Sequence, residues 1–416
     1  MTAASSSSSP LPLPSDIIFK ILTRTSLRTL DTCKAVNKEW HDLIFESSFM
    51  PQFCARNQNI SGYFVQTLSK TKHLTEFVSM DGCSGNSTTA PLHLPIDDEL
   101  VKPRGNYCFD MKIEASTKQG MLCCVRRAKH EYRYHVCKPS TKQWLKLPNP
   151  RTRYSTVKVA LIVLRSNPLY FRIIRLSSPR TVYHHYRKLG LEYYRCEIFD
   201  SECWEWRQGK DLLFPQGLYF DTFTPAVNAG GLIYLKLRDD QVMALNYNGE
   251  EAFPRFSLPK PPAFDKYKDY YPYNQLVEYK GKLGFTCLSP KGMELWVFNN
   301  GNQVWELKKE VDVETVKGVT KFPTPVGFYN ADIALMKDYY EVIFYKLQDK
   351  SFNVVKLDKC PNVQEIFPFR SDLEPIDLRM LGANIISSTK QLCRPSWISI
   401  VTVFIFLFGI LLFSHA

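Results

Sequence analysis

Apolar residues follow two different spacings along the chain. Within residues 13–56 they recur every three or four positions, for example at Ile17 and Ile21, which predicts short amphipathic helices. Within residues 60–373 they alternate with polar residues in short runs that Gly, Pro, Asn and Asp interrupt, which predicts many short β-strands joined by turns. The sequence therefore predicts a mainly β fold with a small α-helical module at its start.

The helical module is expected to contain three short helices. Ser15 is the predicted N-cap of the first helix. The second is expected near residues 27–35 and the third near residues 37–45, with Trp40 on its apolar side. Helices this short are marginal alone, and a module of about 40 residues rarely buries enough surface to be stable by itself. The apolar side is therefore expected to dock, either on the downstream domain or on another protein.

A strand–turn–strand unit that ends in an aromatic residue recurs in the long middle region. The clearest copy spans residues 134–148, and weaker copies span residues 196–215, 243–259 and 295–311. Hairpins repeated over this length are typical of a kelch-like β-propeller with about six to seven blades. A β-sandwich is the alternative that the same pattern allows.

Composition narrows the class of protein. The chain has 416 residues, of which 44% are hydrophobic, and this excludes a disordered protein. Residues 1–12 are rich in Ser and Pro and are expected to be a disordered tail. The formal net charge of +12 favours an acidic partner or surface. None of the 12 cysteines forms a CxxC pair, so neither a zinc ribbon nor a redox dithiol is indicated.

No sequence pattern indicates catalysis or a bound cofactor. The motifs HExxH, GxSxG, GxGxxG and GxxxxGK are absent. His184 and His185 are adjacent, and on a strand they would face opposite sides, where they could not easily bind one metal ion. Asp97, Asp98 and Glu99 lie in a connector flanked by Pro, which is more typical of a solvated turn than of paired catalytic carboxylates. The chain is therefore expected to be non-catalytic, with no cofactor and no metal.

Residues 165–195 are unusually basic and aromatic, with seven Lys and Arg against one Glu. Interleaved cations and rings can bind single-stranded nucleic acid. Alternating strand faces produce the same pattern, however, and no RNA-binding motif accompanies it. Nucleic-acid binding is therefore not expected, and an acidic protein is the preferred partner for the positive charge.

Residues 397–413 form a run of 17 residues without a charge. A helix of this length spans roughly 26 Å, close to the hydrocarbon thickness of the endoplasmic reticulum membrane. Lys390 and Arg394 precede the run, which places the preceding domains on the cytosolic side. The sequence thus predicts a polar linker at residues 376–396 and a transmembrane helix that anchors the chain by its tail. Two buried strands are the alternative, and the location would then be the cytoplasm or nucleus.

The helical module carries the motifs of a known domain. It begins Leu-Pro-x-Asp-Ile, continues with Ile-Leu-x-Arg and ends with Val-Asn-Lys-x-Trp. This segment resembles the F-box, although Thr25 stands where the family has Leu and Asn37 where it has Cys. The resemblance implies that residues 13–56 bind the Skp-family adaptor of a cullin–RING ubiquitin ligase. The adaptor-facing residues that it implies are Leu13, Pro14, Ile17, Ile18, Ile21, Leu22, Val36 and Trp40.

The middle region also resembles a known domain. Residues 136–148 read VCKPSTKQWLKLP, and residues 114–125 supply the strand before them. Both are similar to the F-box-associated (FBA) domain of plant proteins. The resemblance implies a connector with first strands at residues 57–104 and a propeller-like domain at residues 105–375. It also implies a substrate-recognition subunit of an SCF-type ligase whose propeller binds a target protein. The alternative is a membrane-anchored propeller scaffold that does not act in a ligase.

Overall fold

The computed structural model describes residues 13–25, 29, 33, 36–44, 49, 61–69, 72–79, 111–117, 119–128, 131–139, 143–166, 168–179, 189–221, 224–259, 274–289, 292–312, 316, 318, 323–328, 333–357, 363–370 and 378. The chain divides into two compact units, Met1–Ile376 and Asp377–Ala416. The predicted tail at residues 1–12 and the predicted membrane helix at residues 397–413 lie outside the described residues, as does the predicted linker except for Leu378. Within the described part of the chain, no helix is long and apolar enough to cross a membrane.

The helical module contains α1 (Ser15–Leu22) and α2 (Lys38–Ile44), while most of the predicted middle helix lies outside the described residues. The prediction that Ser15 caps α1 is wrong. The cap position is Pro14, which makes no side-chain hydrogen bond there, and the Ser15 hydroxyl instead donates to Glu39 over 2.7 Å. Asn37 caps α2, because its side-chain oxygen accepts a hydrogen bond from the backbone N–H of Trp40 over 2.8 Å.

One side of each helix is buried in a small apolar core. The period of about 3.6 residues places the apolar positions on one side, and the helices contribute Ile18, Leu22, Leu43 and Ile44 to it. Phe19 and Phe49 stack edge to face, with ring centroids 5.2 Å apart. The other apolar positions of α1 remain at the surface.

The rest of the described chain is built from 24 strands. The first twelve are β1 (Ser61–Ser69), β2 (Lys72–Ser79), β3 (Met111–Ser116), β4 (Leu122–Ala128), β5 (Glu131–Lys138), β6 (Gln143–Lys146), β7 (Ser155–Ser166), β8 (Leu169–Ser178), β9 (Leu191–Asp200), β10 (Glu205–Gln208), β11 (Leu212–Pro215) and β12 (Val227–Ala229). The others are β13 (Leu232–Lys236), β14 (Gln241–Leu245), β15 (Glu251–Ser257), β16 (Asn274–Tyr279), β17 (Lys282–Ser289), β18 (Gly292–Asn299), β19 (Val304–Val311), β20 (Thr324–Phe328), β21 (Ile333–Lys337), β22 (Glu341–Lys346), β23 (Phe352–Lys356) and β24 (Val363–Arg370).

These strands form six antiparallel sheets, which are the blades of a β-propeller. Blade 2 is β3–β6, blade 3 is β7–β11, blade 4 is β12–β15, blade 5 is β16–β19 and blade 6 is β20–β23. Blade 1 has the order β2–β1–β24, so the last strand of the ring pairs with the first. The predicted propeller is therefore confirmed with six blades, and the β-sandwich alternative is wrong.

Apolar side chains fill the spaces between neighbouring blades. Phe64 and Phe369 of blade 1 pack with Ile113 of blade 2, and Tyr63 of blade 1 packs with Phe344 of blade 6, with ring centroids 6.1 Å apart. Similar clusters join blades 3 and 4, 4 and 5, and 5 and 6. The core of the propeller is thus divided among the seams between the blades.

The tryptophans of two predicted hairpins also connect blades. The indole N–H of Trp206 in blade 3 donates to the carbonyl of Pro148, just after blade 2, over 2.8 Å. The indole of Trp305 in blade 5 donates to the carbonyl of Ser257, the last residue of blade 4, over 3.0 Å. The hairpin repeat inferred from the sequence is therefore the third and fourth strands of a blade, and in blades 3 and 5 its Trp side chain is hydrogen-bonded to the chain of the preceding blade or just after it.

Candidate functional site

The outer side of the helical module is a row of exposed apolar residues. Leu13 and Val36 are 56% and 57% exposed, and Ile17 and Ile21 are also exposed. Pro14 is exposed beside them. Of the other implied adaptor-facing residues, Ile18 and Leu22 are buried in the module's core and Trp40 packs against it. Ile18, Leu22 and Trp40 therefore belong to the core of the module, and only the exposed row is available for contact with another protein.

A second candidate site lies inside the propeller, where the first strands of blades 2 to 6 pack against one another around the axis. In each blade the start of the first strand and the end of the second strand lie at the same end, because the two strands are antiparallel. Charged residues gather at this end, and we call them the axial cluster. The cluster consists of Lys112, Glu114, Lys158, Asp221, Lys236, Lys337 and Glu365.

Lys112 is held by two carboxylates from different blades. Its ammonium group lies 3.1 Å from Glu114 and 3.5 Å from Glu365 of β24. Burial opposes the charge on Lys112, but these two carboxylates together raise its pKa above the ordinary value. Burial also raises the pKa of Glu114. Gln66 fixes Glu365 from the other side by donating to it over 2.8 Å.

Lys236 forms a second ion pair in the axial cluster. It is buried at the end of β13, and its ammonium group lies 3.1 Å from Asp221. Asn274 at the start of β16 accepts a hydrogen bond from the same ammonium group. The hydroxyl of Thr224 donates to Asp221 over 3.1 Å. Blades 4 and 5 and the connection between blades 3 and 4 thus meet at Lys236.

Lys158 and Lys337 differ from the other two lysines because no described carboxylate lies within 4.0 Å of either ammonium group. Lys158 donates to the carbonyl of Thr224 over 2.5 Å. Lys337 donates to the carbonyls of Gln364 over 2.8 Å and Val363 over 3.3 Å. Burial lowers the pKa of both lysines to about 8, and distant carboxylates offset this effect only in part.

The described arginines of the basic stretch at residues 165–195 are paired with carboxylates of blade 3 and its connections. Arg165 pairs with Glu202 over 3.0 Å, and Arg172 pairs with Asp200 over 2.9 Å. Arg195 lies 3.4 Å from Asp211. Its described arginines therefore do not form a row of unpaired cations of the kind that tracks a nucleic-acid backbone.

Arg175, also in this stretch, organises a buried polar site between blades 2 and 3. Its guanidinium pairs with Glu197 and donates to the hydroxyl of Tyr134 over 2.8 Å. It also donates to the hydroxyl of Thr152, over 3.1 Å, and to the carbonyl of Tyr154. These partners come from both blades and from the connection between them, so the site is structural.

The described residues contain no group of three or more His, Cys, Asp or Glu side chains arranged to hold a metal ion. His184 and His185 lie outside these residues, as do Asp97, Asp98 and Glu99. Sequence reasoning missed the axial cluster, because its lysines stand singly in strands of different blades and share no motif.

The described residues form a six-bladed β-propeller that follows a short α-helical module. The matching family model is described as "F-box protein At3g26010-like, beta-propeller", and it covers residues 66–401. The chain belongs to this family.

Curated relatives are F-box proteins of Arabidopsis thaliana. F-box protein At5g49610 is 23% identical over 378 residues, which cover 87% of this chain and 97% of the relative. F-box protein At5g41720 is 29% identical over 177 residues, which cover 40% of this chain and 87% of the relative. Among solved structures, TolB from Acinetobacter baumannii matches with a TM-score of 0.41 and 9% identity, over 80% of this chain and 73% of TolB.

Proposed function

We propose that this chain is the substrate-recognition subunit of an SCF-type cullin–RING ubiquitin ligase. Its F-box would bind the Skp-family adaptor, and its propeller would bind a target protein for ubiquitination. The observation that carries the proposal is the row of exposed apolar side chains on the helical module. The membership of the chain in an F-box protein family supports it.

The apolar row has the properties of a protein-binding surface. A helix of eight residues that leaves Ile17 and Ile21 at the surface keeps apolar area in water, which is unfavourable by roughly 25 cal/mol for each Å². Ile17 and Ile21 are four residues apart and therefore adjacent on α1, and grouped exposed apolar side chains are typical of interaction sites. Because Ile18 and Leu22 are already buried in the module's core, the row can meet a partner without unfolding the module.

In this proposal the chain binds and presents its target and does not itself catalyse a reaction. The ubiquitin transfer would be carried out by other subunits of the ligase. The charge of +12 favours a target with an acidic surface, because complementary charge accelerates association and selects among partners.

The proposal is tested by replacing Leu13 and Pro14 with Ala. Interface anchors typically contribute about 2 kcal/mol or more each, so we expect this double variant to lose Skp-adaptor binding in a pull-down. Its propeller should retain the wild-type melting temperature, since neither residue is in a propeller core cluster. Leu213→Ala is the matched control, because Leu213 is 49% exposed but lies in blade 3. Adaptor affinity within about twofold of wild type in the double variant would contradict the proposal.

Membrane attachment is a separate proposal and rests on the sequence of residues 397–413 alone. If this run forms a membrane helix, the chain would be a tail-anchored protein with its F-box and propeller facing the cytosol. The membrane would be that of the endoplasmic reticulum. Nothing in the described residues supports it, and the family model extends to residue 401, into the start of the run. A chain without this anchor would act in the cytoplasm or nucleus.

A further inference from the structure

A cavity of about 180 Å³ lies between blades 4 and 5. It is formed where the turn from β12 to β13 in blade 4 meets the turns from β16 to β17 and from β18 to β19 in blade 5. These turns join the first strand of a blade to the second, or the third to the fourth, so they lie at one end of the antiparallel blades. The axial cluster lies at the opposite end, because its Lys236 ends the second strand of blade 4. The cavity is therefore separate from both sites described above.

The floor of the cavity is apolar and already formed. Ala229 and Tyr234 of blade 4 and Leu283 and Phe298 of blade 5 line it, and all four are buried members of the cluster that joins the two blades. Phe298 also stacks on Phe256, with ring centroids 4.1 Å apart. Because these side chains are packed on their other sides, the floor does not have to rearrange to receive a ligand.

The rim of the cavity carries a hydrogen-bond donor and an acceptor that the described residues leave unused. The side-chain oxygen of Asn300 accepts from the hydroxyl of Tyr234 over 3.3 Å, while the side-chain nitrogen donates to no described residue. The carbonyl of Gly281 accepts no hydrogen bond from the described part of the chain. A methyl group at Gly230 would lie 3.6 Å from the Asn300 nitrogen and 3.8 Å from the Gly281 oxygen. The donor and the acceptor thus lie within 4 Å of one point in the wall of the cavity.

The other polar residues of the lining narrow the chemistry of a ligand. Asn299 is engaged within its own hairpin, since it accepts from the backbone N–H of Gly301 over 3.0 Å and donates to Glu306 over 3.2 Å. Lys282 is the only charged residue among the described lining residues, and it is exposed, so its ammonium group can stay in water. The partial negative charge of the Gly281 carbonyl opposes a carboxylate at the same place. A neutral group with both a donor and an acceptor is therefore the best match.

The size of the cavity matches one side chain. A cavity of about 150 Å³ holds a benzene molecule, whereas pockets for drug-sized molecules measure roughly 300–1,000 Å³. We propose that the cavity binds the carboxamide side chain of a Gln residue in a target protein. The Gln carbonyl accepts from Asn300, the Gln NH₂ group donates to the carbonyl of Gly281, and the two methylene groups cover the apolar floor. This inference rests on the proposed function, because it gives the chemistry by which the propeller recognises its target.

The test is saturation-transfer NMR on the full chain, with N-acetyl-glutamine methylamide as the probe. The matching Glu derivative has the same shape with a negative charge, and the matching Met derivative has a similar length without the carboxamide. We expect the Gln probe to bind wild type with a Kd of about 1 mM. Because the other two probes lose at least one hydrogen bond, each should bind at least about fivefold more weakly.

Two glycine variants separate the cavity from the turn that forms it. Gly230→Ala places a methyl group beside Asn300 and Gly281 and should weaken binding of the Gln probe by at least about fivefold. Gly231→Ala is the matched control, because Gly231 follows in the same turn and also has positive φ. Its methyl group would meet nothing within 4 Å, and Gly231 does not line the cavity. This control should bind the Gln probe within about twofold of wild type.

Asn300→Asp decides the question if a glycine variant misfolds. Asp has the size of Asn and keeps an acceptor for the hydroxyl of Tyr234, but it replaces the NH₂ donor with a second acceptor oxygen. The Gln carbonyl then has no donor to meet, and affinity for the Gln probe should fall by at least about fivefold. Unchanged affinity in this variant would contradict the inference.

Three further results would overturn the inference. Absent binding, or equal affinity of the three probes for wild type, would show that no carboxamide is recognised. A preference for the Glu or the Met probe would show that the cavity selects an anion or an apolar side chain instead. An equal loss in the two glycine variants would show that strain in the turn, and not filling of the cavity, changes the affinity.

Adaptor binding separates this inference from the proposed function. The variants at Gly230, Gly231 and Asn300 should bind the Skp adaptor as wild type does, because all three residues lie in the propeller. If wild type selects the Gln probe but does not bind the adaptor, only the ligase role is contradicted. If wild type binds the adaptor but does not select the Gln probe, only this inference is contradicted.

Discussion

Replacing Glu197 with Gln should strongly destabilise the propeller. The Arg175 side chain is 0% exposed and that of Glu197 is 2% exposed, so the pair is fully removed from water. Glu197 also accepts hydrogen bonds from the backbone N–H and the hydroxyl of Thr152, over 3.0 and 2.6 Å. Gln can keep part of this hydrogen bonding, but it leaves the guanidinium charge buried without a counter-ion.

Removing one partner from a buried ion pair costs about 3–5 kcal/mol. We expect a loss near the lower limit, about 3 kcal/mol, because Gln retains the size of Glu and one acceptor oxygen. The effect should begin at the seam between blades 2 and 3, where Arg175 connects Tyr134 to the connection between the two blades.

The assay is urea unfolding, followed by the fluorescence of the tryptophans. Trp206 lies 5.4 Å from Tyr134 between ring centroids, so it reports on this seam. Glu202→Gln is the matched control, because its pair with Arg165 is in the same blade but both side chains are at least 50% exposed. Exposed pairs contribute less than about 1 kcal/mol. Equal effects of the two variants would refute the reasoning from burial.

Two further predictions concern pH and location. Lys158 has a pKa of about 8 in the folded chain and its ordinary value of 10.5 in the unfolded chain. Between pH 8 and pH 10.5 the unfolded chain therefore binds more protons than the folded chain, so the free energy of unfolding increases with pH. Below pH 8 the folded chain carries the full cost of the buried charge. Between pH 7 and pH 9 the free energy of unfolding of wild type should increase by about 1 kcal/mol relative to that of Lys158→Met. Equal pH dependence of the two proteins in urea unfolding would contradict this. The full chain should stay with membranes after carbonate washing, whereas a chain ending at Pro395 should not; release of both would rule out a membrane helix at residues 397–413.

The blades could be predicted from the sequence because the residue patterns that specify a hairpin lie close together along the chain. A hairpin needs only alternating residues and a turn, and both lie within about 15 residues of each other. The turn at Gly230 and Gly231 illustrates this, since both residues have positive φ, +56° and +80°, and join β12 to β13. Trp206 and Trp305 could likewise be recognised as repeated aromatics, although their bonds to the preceding blade could not.

The closure of the ring and the axial cluster could not be predicted in the same way. Gln66 and Glu365 are in contact although they are 299 positions apart, and no pattern along the chain brings them together. Lys236 and Lys337 each stand at the end of an apolar strand, a position that suggests exposure. Only the circular arrangement of the blades turns these strand ends towards one another.

The pairing of β1 with β24 has a consequence for how the protein is made. β1 is among the first strands to leave the ribosome, but its pairing strand β24 is made much later. Glu365 of β24 follows Gln66 of β1 by 299 residues. At about 5–20 residues per second, β1 waits roughly 15–60 s for β24. During that interval the apolar side chains of Tyr63, Phe64 and Val65, which are buried in the finished ring, are without their final partners. The helical module is already synthesised by then, so its exposed apolar side chains are available to another protein before the ring of blades is complete.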